Sequence, residues 1–244
     1  AAAQRESGRD VRMILLEDFL KAIRASGYQK PKPIIPIVPS IPRPIVEEPK
    51  PPERFVIENG DTLVKYNGDE KIVVVPAGIR KIGFEAFGKS EPGQSKLERV
   101  VLPEGLEEIE LFAFSCCDQL QFVNLPDSLI KIGENAFWNC KKLTECEIPA
   151  RAYQVVGNIF KGCTSLTEVK VNAANPYYFT KDGVLFGPAL VNYKPQYDEA
   201  YALQSYPAGR QGAYTIPSSV NRKEIDQVWT SGFEGAASLT DITI

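Results

Sequence analysis

Hydrophobic residues recur with a period of 23 residues through the middle of this 244-residue chain. Each period opens with a leucine, continues with two apolar positions that alternate with polar ones, and then has a proline. Alternation predicts a short, half-buried β-strand, and proline ends that strand because it cannot donate a ladder hydrogen bond. The opening leucines are Leu97, Leu120, Leu143 and Leu166, and the prolines are Pro103, Pro126 and Pro149.

The second half of each period has apolar residues three and six positions after the proline, and then a phenylalanine. One such unit is too small to bury its own apolar edge, so the units must stack on one another. The pattern therefore predicts a solenoid whose turn consists of a strand, a bend, a second extended segment and a return. Stacking also predicts a buried aromatic column, formed by Phe87, Phe114, Phe137, Phe160 and Phe233.

Three of the five cysteines follow a column phenylalanine by three positions. A small, weakly polar side chain suits a tight interior corner, so Cys117, Cys140 and Cys163 are expected in the core. Cys146 occupies a strand position that is Val or Ile in other units, and it is expected in the core as well. Cys116 lies outside these positions, and we expect it to be a free, exposed thiol.

The repeat is interrupted after its fourth unit by about 45 additional residues and resumes at the sequence TIPSSV. The insertion, placed at 172–213, is rich in aromatic residues and has an Asp-Gly turn signal at 182–183. We expect it to form one or two β-hairpins that project from the solenoid or cap it. A further hairpin cap is predicted over 55–75, where Asn-Gly turn signals at 59–60 and 67–68 separate β-type runs.

Residues 1–30 form an N-terminal segment in which 7–26 is predicted to be one amphipathic helix. Ser7 and Asp10 match a capping box at its start, and Gly27 matches a terminator at its end. An isolated helix of this length is marginal in water, so its apolar stripe needs a surface to pack against. The helix either docks on its own domain or forms a dimer seam or a partner-binding helix.

Residues 31–54 form a proline-rich linker that holds nine of the nineteen prolines. Four of these prolines are spaced by three residues, which is the period of a polyproline II helix. We interpret the segment as a semi-rigid spacer, and the alternative is a docking ligand for an aromatic groove. The four prolines are Pro33, Pro36, Pro39 and Pro42.

The composition excludes several classes of function. The chain has no histidine, which removes Ser-His-Asp and Cys-His nucleophilic systems and every imidazole general base. Without histidine or a C-x-x-C motif, a structural zinc site is not expected, and neither is any other cofactor. The net charge of −3 gives no footprint for nucleic acid. We expect no membrane span, and the opening AAAQRESGRD lacks the layout of a signal peptide.

The segment LQFVNLPDSLIKIGENAFWNCKKL, residues 120–143, resembles the unit of the BspA-type leucine-rich repeat family of bacterial surface proteins almost position for position. The resemblance covers about 55–244. Within the insertion, NPYYFTKDGVLF, SYPAGR and YTIPSSV resemble an element that interrupts such arrays in gut and oral bacteria. The segments ARAYQVVGNIF and NRKEIDQVWTSGF depart from the unit.

This resemblance implies a β-rich solenoid, a leucine-rich-repeat right-handed superhelix of about 23-residue units. To this fold class we add the inserted β-hairpin element and the N-terminal helix. The resemblance also implies a non-enzymatic binding protein that is extracellular or on the cell surface, and some members adhere to host proteins. It names no ligand, so an unknown protein is the expected partner and a host extracellular protein is the candidate.

Alternation along the strands predicts two rows of side chains that point out of the solenoid. Phe122 and Val101 are unexpectedly apolar for such positions, and three glutamates cluster beside them. We expect these rows to bind the partner, and the alternative is a sheet face that is merely soluble. The first row is Arg99, Phe122, Glu145, Glu168 and Asp241, and the second is Val101, Asn124, Glu147, Lys170 and Thr243.

The insertion offers an alternative binding surface because it is the more aromatic of the two. Aromatic side chains are enriched at interaction hot spots. The alternative anchors are Tyr177, Tyr178, Phe179, Tyr193 and Tyr197.

The sequence is compatible with three alternative functions. The first is a protein–protein interaction module, and the second is a structural or assembly subunit that self-associates through the N-terminal helix. The remote third is a hydrolase with paired carboxylates, such as Glu107 and Glu108, although no motif gathers these around a nucleophile.

Overall fold

The computed structural model describes residues 54–191, 194–229 and 231–244. The predicted helix at 7–26 and most of the proline-rich linker lie outside these residues. Every regular element in the described ranges is a β-strand. The eighteen strands in these ranges are β1 (Phe55–Glu58), β2 (Thr62–Tyr66), β3 (Ile72–Val74), β4 (Lys81–Ile82), β5 (Arg99–Val101), β6 (Glu108–Ile109), β7 (Phe122–Val123), β8 (Lys131–Ile132), β9 (Glu147–Ile148), β10 (Gln154–Val155), β11 (Lys170–Val171), β12 (Phe179–Lys181), β13 (Val184–Val191), β14 (Lys194–Ser205), β15 (Gly212–Thr215), β16 (Ser219–Val220), β17 (Lys223–Val228) and β18 (Leu239–Thr243).

Two parallel strand ladders run along the solenoid because each regular turn contributes two short strands. The first ladder is β2-β4-β6-β8-β10, and β1 adds to β2 as an antiparallel hairpin strand. The second consists of β3-β5-β7 and of the separate pair β9-β11. Register partners such as Ile109 and Ile132, or Glu147 and Lys170, are 23 positions apart, which confirms the period of the sequence.

Phenylalanine rings stack through the core of the solenoid, as their spacing predicts. The ring centroids of Phe87 and Phe114 are 4.9 Å apart, with the ring planes at 10°. Those of Phe114 and Phe137 are 5.3 Å apart, and those of Phe137 and Phe160 are 5.8 Å apart. Tyr66 of the N-terminal hairpin extends this column, with its ring centroid 5.1 Å from that of Phe87. The hairpin therefore caps the aromatic column directly.

Phe233 does not stack on Phe160, so the expectation of one continuous column that includes Phe233 is wrong. Its ring lies 5.2 Å from that of Tyr206, and it is partly buried against a second hydrophobic cluster. The Tyr206 amide donates to the Gly232 carbonyl at 2.7 Å, as the Phe87 amide donates to the Ala113 carbonyl at 2.8 Å. Tyr206, from within the predicted insertion, thus occupies the position of a column residue in the turn before Phe233.

The cysteine positions are predicted correctly with one exception. Cys117, Cys140 and Cys163 are fully buried beside the aromatic column, and Cys146 is buried in the strand row. Cys116 is only 2% exposed, so the expectation of an exposed thiol is wrong.

Cys116 is buried because the following turns close over it. It has a positive φ of 55°, and so do the residues at the same position of the next two turns, Asn139 and Gly162, at 58° and 75°. The Cys116 amide donates to the Trp138 carbonyl at 2.7 Å, which holds this left-handed corner against the next turn. Burial raises the pKa of the Cys116 thiol.

The insertion adds a sheet of order β12-β13-β14-β17-β16. β12 and β13 form a hairpin whose two turn residues, Asp182 and Gly183, both have positive φ, as a tight type I′ turn requires. This confirms the predicted turn. The side-chain amide of Asn175 fastens the insertion to the solenoid by donating to the carbonyls of Pro149 and Ala152, at 2.8 and 2.9 Å.

Candidate partner-binding face

The outward side of the second strand ladder brings the predicted rows together. Arg99 and Phe122 are register partners on adjacent strands. Asp241 and Thr243 lie apart from them, because their strand β18 pairs with β15 in another sheet. We call this surface the strand face, which consists of Ile72, Val74, Arg99, Val101, Phe122, Asn124, Glu145, Glu147, Glu168 and Lys170.

Three aliphatic side chains at the start of the strand face are open to solvent. Ile72 is 63% exposed, Val74 is 62% exposed, and Val101 is 36% exposed. Val74 and Val101 are register partners, so the three residues form one patch. Contiguous exposed apolar surface is typical of an interaction site. Ile72 and Val74 were not among the predicted outward rows, which start at Arg99, although apolar residues also alternate in the segment KIVVVP.

The aromatic residue of the strand face is partly covered by its neighbour. The guanidinium carbon of Arg99 lies 4.4 Å from the ring centroid of Phe122, which is a cation–π arrangement. Phe122 is half-buried as a result. The ring therefore stands beside the aliphatic patch with a cation already stacked on it.

The Asn124 side chain forms hydrogen bonds with the backbone of the preceding turn of the solenoid. Its Oδ1 accepts a hydrogen bond from the Leu102 amide at 2.7 Å, and its Nδ2 donates to the Leu102 carbonyl at 3.1 Å. Ile148 is the equivalent of Leu102 two turns later in the chain. There the carbonyl accepts a hydrogen bond from the backbone amide of Asn172, in the following turn, at 2.9 Å. The equivalent donor to Leu102 would be Pro126, which has no N–H. The Asn124 side chain supplies the donor that the proline lacks, and we call this pair of bonds the Asn124 clip.

A cleft splits the strand face between β7 and β9. In the described part of the chain no backbone hydrogen bond joins these two strands, although β5 pairs with β7 and β9 with β11. The cleft has a volume of about 330 Å³. The side chains at its rim and walls include Phe122, Asn124, Asp127, Glu145, Glu147 and Lys170.

Carboxylates outnumber cations around this cleft. The Lys170 ammonium lies 3.1 Å from a Glu145 oxygen and 3.5 Å from a Glu168 oxygen. The hydrogen bond to Glu145 raises the pKa of Lys170 above its ordinary value. Glu147 and Asp127 are exposed and have no ion pair within the described residues. The cleft therefore keeps an excess of negative charge after its own lysine has been neutralised.

A second exposed apolar surface lies on the first strand ladder, where the sequence analysis placed no site. Phe84 is 53% exposed and Leu111 is 38% exposed, and both line a groove of about 600 Å³ together with Val156. The Phe112 ring meets that of Phe84 edge to face at 6.2 Å. We call this surface the aromatic groove.

The aromatic residues of the insertion are mostly structural. Tyr178 is 1% exposed, and its hydroxyl accepts a hydrogen bond from the Val155 amide at 2.8 Å. Phe179 is buried against Phe186. The expectation that these two are accessible anchors is wrong, because both pack inward on the core. Tyr177 is half-buried, with its ring 6.4 Å from that of Tyr153.

The accessibility of the other two predicted anchors is not described. Tyr193 lies outside the described residues, and Tyr197 lies on β14, where its side chain is not described.

In the same described ranges, no helix is long and apolar enough to cross a bilayer, and no group of acidic and cysteine side chains is placed to hold a metal ion.

Solved structures of bacterial leucine-rich repeat proteins are similar to this chain. A leucine-rich repeat protein from Eubacterium ventriosum is 20% identical, with a TM-score of 0.53, over 75% of this chain and 53% of that one. The chain thus spans about half the length of that protein. A leucine-rich repeat protein from Bacteroides capillosus is 28% identical over 49% of this chain and 93% of that one, with a TM-score of 0.43. Comparison with curated proteins finds no significant match.

The family comparison agrees with the repeat that the sequence and the register show. The model of the BspA-type leucine-rich repeat region matches residues 66–177 in six copies. The matched residues include the aromatic column from Tyr66 to Phe160, the cysteine positions and the strands from β3 to β11. Residues 66–177 are therefore a BspA-type leucine-rich repeat region.

Proposed function

We propose that this protein is a non-enzymatic module that binds a protein partner through its strand face. The observation that carries the proposal is the patch of Ile72, Val74 and Val101, which exposes three aliphatic side chains on two adjacent strands. A partner that covers them removes apolar surface from water, which is the dominant favourable term in most protein association. The strands beneath are held by parallel ladder bonds, so the surface is pre-organised for binding.

Ion pairing weighs against a hydrolase with paired carboxylates. Glu107 is 2.6 Å from the Arg80 guanidinium, and Glu108 is 2.5 Å from the Lys131 ammonium and 3.7 Å from that of Lys81. These pairs join successive turns, so the carboxylates serve the stacking of the solenoid. A carboxylate that is already bound to a cation is poorly placed to attack or protonate a substrate.

The thiols are equally unsuited to covalent chemistry. Cys117 and Cys140 are fully buried, and burial raises the pKa of both thiols. The nucleophilic form of cysteine is the thiolate, and reactive cysteines have lowered pKa values in partly exposed sites. Together with the absence of histidine from the chain, this supports a binding function rather than catalysis.

The repeat family supports an extracellular or cell-surface location for this binding. Because BspA-type repeats are typical of bacterial surface proteins, we infer that the protein acts outside the cell or on its surface. A host extracellular protein is then the candidate partner, and adhesion is the candidate role.

The test is binding of the full chain to immobilised host extracellular-matrix proteins, before and after the double change Ile72→Ser and Val74→Ser. Both positions are solvent-exposed, so the variant should fold normally. We expect it to lose the binding that the wild type shows. The matched control is Phe84→Ser with Leu111→Ser in the aromatic groove, which should bind as the wild type does. Loss of binding only in the control variant would place the partner on the aromatic groove and contradict the proposal.

The amphipathic stripe predicted at 7–26 favours the alternative of an assembly subunit. Deleting residues 1–53 separates the two functions, because the described solenoid starts at residue 54. An assembly subunit would lose mass in light scattering on deletion, whereas an interaction module of the proposed kind would keep its partner binding.

A further inference from the structure

The cleft between β7 and β9 has a specific origin in the sequence. Glu147 stands 23 positions after Asn124, so it occupies the site of the clip in the next turn. Pro149 is there the residue without an N–H, as Pro126 is one turn before. An ionised carboxylate only accepts hydrogen bonds, so Glu147 cannot supply the missing donor to Leu125 as Asn124 does to Leu102.

The opening is confined to one side of the two turns. On the first ladder the Tyr153 and Gln154 amides still donate to the Ile130 carbonyl, at 3.1 and 3.2 Å. The same turns are therefore closed at β8 and β10 and open at β7 and β9. The result is a wedge in the strand face, and its volume of about 330 Å³ is large enough for a side chain.

We propose that this cleft receives the lysine or arginine side chain of a partner polypeptide, and that an aliphatic residue a few positions away in the same polypeptide covers Ile72, Val74 and Val101. This inference rests on the proposed function and names the chemistry of the partner. Charge complementarity supports it, because Glu147 and Asp127 remain without an ion pair within the described residues. A basic side chain has an apolar stem and a charged head, and the cleft offers both an apolar wall and carboxylates.

Two contacts within the protein already show how such a cation is held. The Arg99 guanidinium stacks on the Phe122 ring, which forms one wall of the cleft. The Lys170 ammonium bridges two glutamates on the opposite side. A guanidinium or ammonium from the partner would repeat these interactions with Glu147 and Asp127.

The spacing of the strands sets the spacing in the partner. The aliphatic patch is centred between β3 and β5, and the cleft lies just beyond β7, about two strand separations or roughly 10 Å away. An extended polypeptide rises by about 3.3 Å per residue, so its aliphatic and basic residues should be about three positions apart. This occupant differs from a polyproline ligand or a purely apolar segment, neither of which would need the carboxylates.

The experiment selects peptides from a random linear display library against the full chain. Enriched peptides should combine an aliphatic residue with a lysine or arginine about three positions away. In the best synthetic peptide, replacing that arginine with citrulline, a neutral isostere, should weaken binding roughly tenfold, with a loss of salt dependence. This replacement leaves the protein unchanged, so its outcome does not depend on the folding of a variant.

Two protein variants then separate the cleft from the patch. Glu147→Asn restores the clip residue and should close the cleft, raise stability and weaken the selected peptide as citrulline does. Glu145→Gln removes one charge without adding a clip and should weaken it less. If enriched peptides lack a basic residue, or if Glu147→Asn binds them as well as the wild type, the cleft proposal is wrong. If binding of those peptides still depends on Ile72 and Val74, the proposed function stands without the cleft proposal. If no peptide is enriched more by the wild type than by the Ile72→Ser, Val74→Ser variant, both the cleft proposal and the proposed function are wrong.

Discussion

The Sγ of Cys140 donates a hydrogen bond to the Phe114 carbonyl oxygen, one turn earlier in the solenoid, at 3.2 Å. The same bond links Cys163 to Phe137 at 3.1 Å. A side chain at this corner must be small enough for the turn and must also donate to a buried carbonyl, and cysteine meets both conditions. This accounts for cysteine rather than alanine beside the aromatic column.

The first prediction tests this role at Cys140. Cys140→Ala leaves the Phe114 carbonyl without its donor, and an unsatisfied buried acceptor costs about 1–3 kcal/mol. We expect a corresponding fall in the free energy of unfolding, measured by urea denaturation. Cys140→Ser keeps a donor at the same place and should lose less. Equal stability of the wild type and the alanine variant would show that the hydrogen bond is energetically irrelevant.

The second prediction concerns the aromatic column. Phe137 is fully buried between Phe114 and Phe160, so Phe137→Ala removes two ring contacts and leaves a cavity. Large-to-small changes of this kind cost roughly 3–5 kcal/mol. The control is Phe84→Ala, whose ring is 53% exposed and which should cost much less. A denaturation midpoint that Phe137→Ala leaves in place would contradict the stacking order.

The repeated core could be predicted from the sequence because its cause is local and periodic. Leu97 to Leu166, Phe114 to Phe160 and Cys117 to Cys163 keep one step, and the register of the strands reproduces it. Burial follows directly, since a position that lies inside in one turn lies inside in the next. Cys116 is an exception, because its positive φ and the turns above it are not visible in the hydrophobic pattern.

The end of the solenoid was harder to predict because it departs from the repeat. Tyr206 takes a column position although SYPAGR contains no Ala-Phe pair, so the aromatic residue alone carried no signal. Asn158 is buried there and donates to the Ser231 carbonyl at 2.6 Å while accepting from Ser205 at 2.8 Å. These contacts join residues distant in sequence, and no spacing rule anticipates them.

The candidate site could be predicted only in its outline. Alternation placed Arg99, Val101 and Phe122 on one outward surface, because successive strand residues point to opposite sides. The cleft could not be foreseen, since it depends on whether the residue at one clip position can donate a hydrogen bond. That difference between Asn124 and Glu147 has a meaning only once the ladder is known.

The third prediction uses two glycines with the same backbone conformation. Gly235 and Gly212 both have φ of 89°. A Cβ at Gly235 would lie 2.9 Å from the Gly162 amide nitrogen, whereas one at Gly212 would meet nothing within 4 Å. Gly212→Ala should show only the left-handed strain of about 1–2 kcal/mol. Gly235→Ala should cost more, because the backbone of the stacked turn must move.

Thermal denaturation of the two alanine variants measures this difference. The comparison also tests whether the last unit rejoins the solenoid, since the crowding at Gly235 exists only if that unit stacks on Gly162. Indistinguishable melting temperatures would mean that the two turns are not in contact.

The fourth prediction is a loss of stability in alkali. Burial raises the pKa of Cys117 from its ordinary 9.0 to about 12. The unfolded thiol therefore ionises first, so its contribution to stability is complete below about pH 9 and is lost as the pH rises through about 12. We expect the free energy of unfolding to fall over this range, and to fall less steeply in Cys117→Ala. Parallel slopes for the two proteins would exclude this thiol as a cause.

The last prediction concerns the Asn124 clip, which joins the Asn124 side chain to both backbone groups of Leu102. Asn124→Ala leaves a buried amide and a carbonyl without partners and should cost roughly 2 kcal/mol or more. Asn124→Asp keeps the acceptor for the Leu102 amide but loses the donor to its carbonyl, so it should fall between the alanine variant and the wild type. Amide hydrogen exchange separates the two bonds. The Leu102 amide should exchange much faster in the alanine variant and stay protected in the aspartate variant, because only the former lacks an acceptor for it. If the Leu102 amide exchanges at the same rate in all three proteins, the clip does not hold β5 to β7, and the account of the cleft as the consequence of its loss at Glu147 would fail with it.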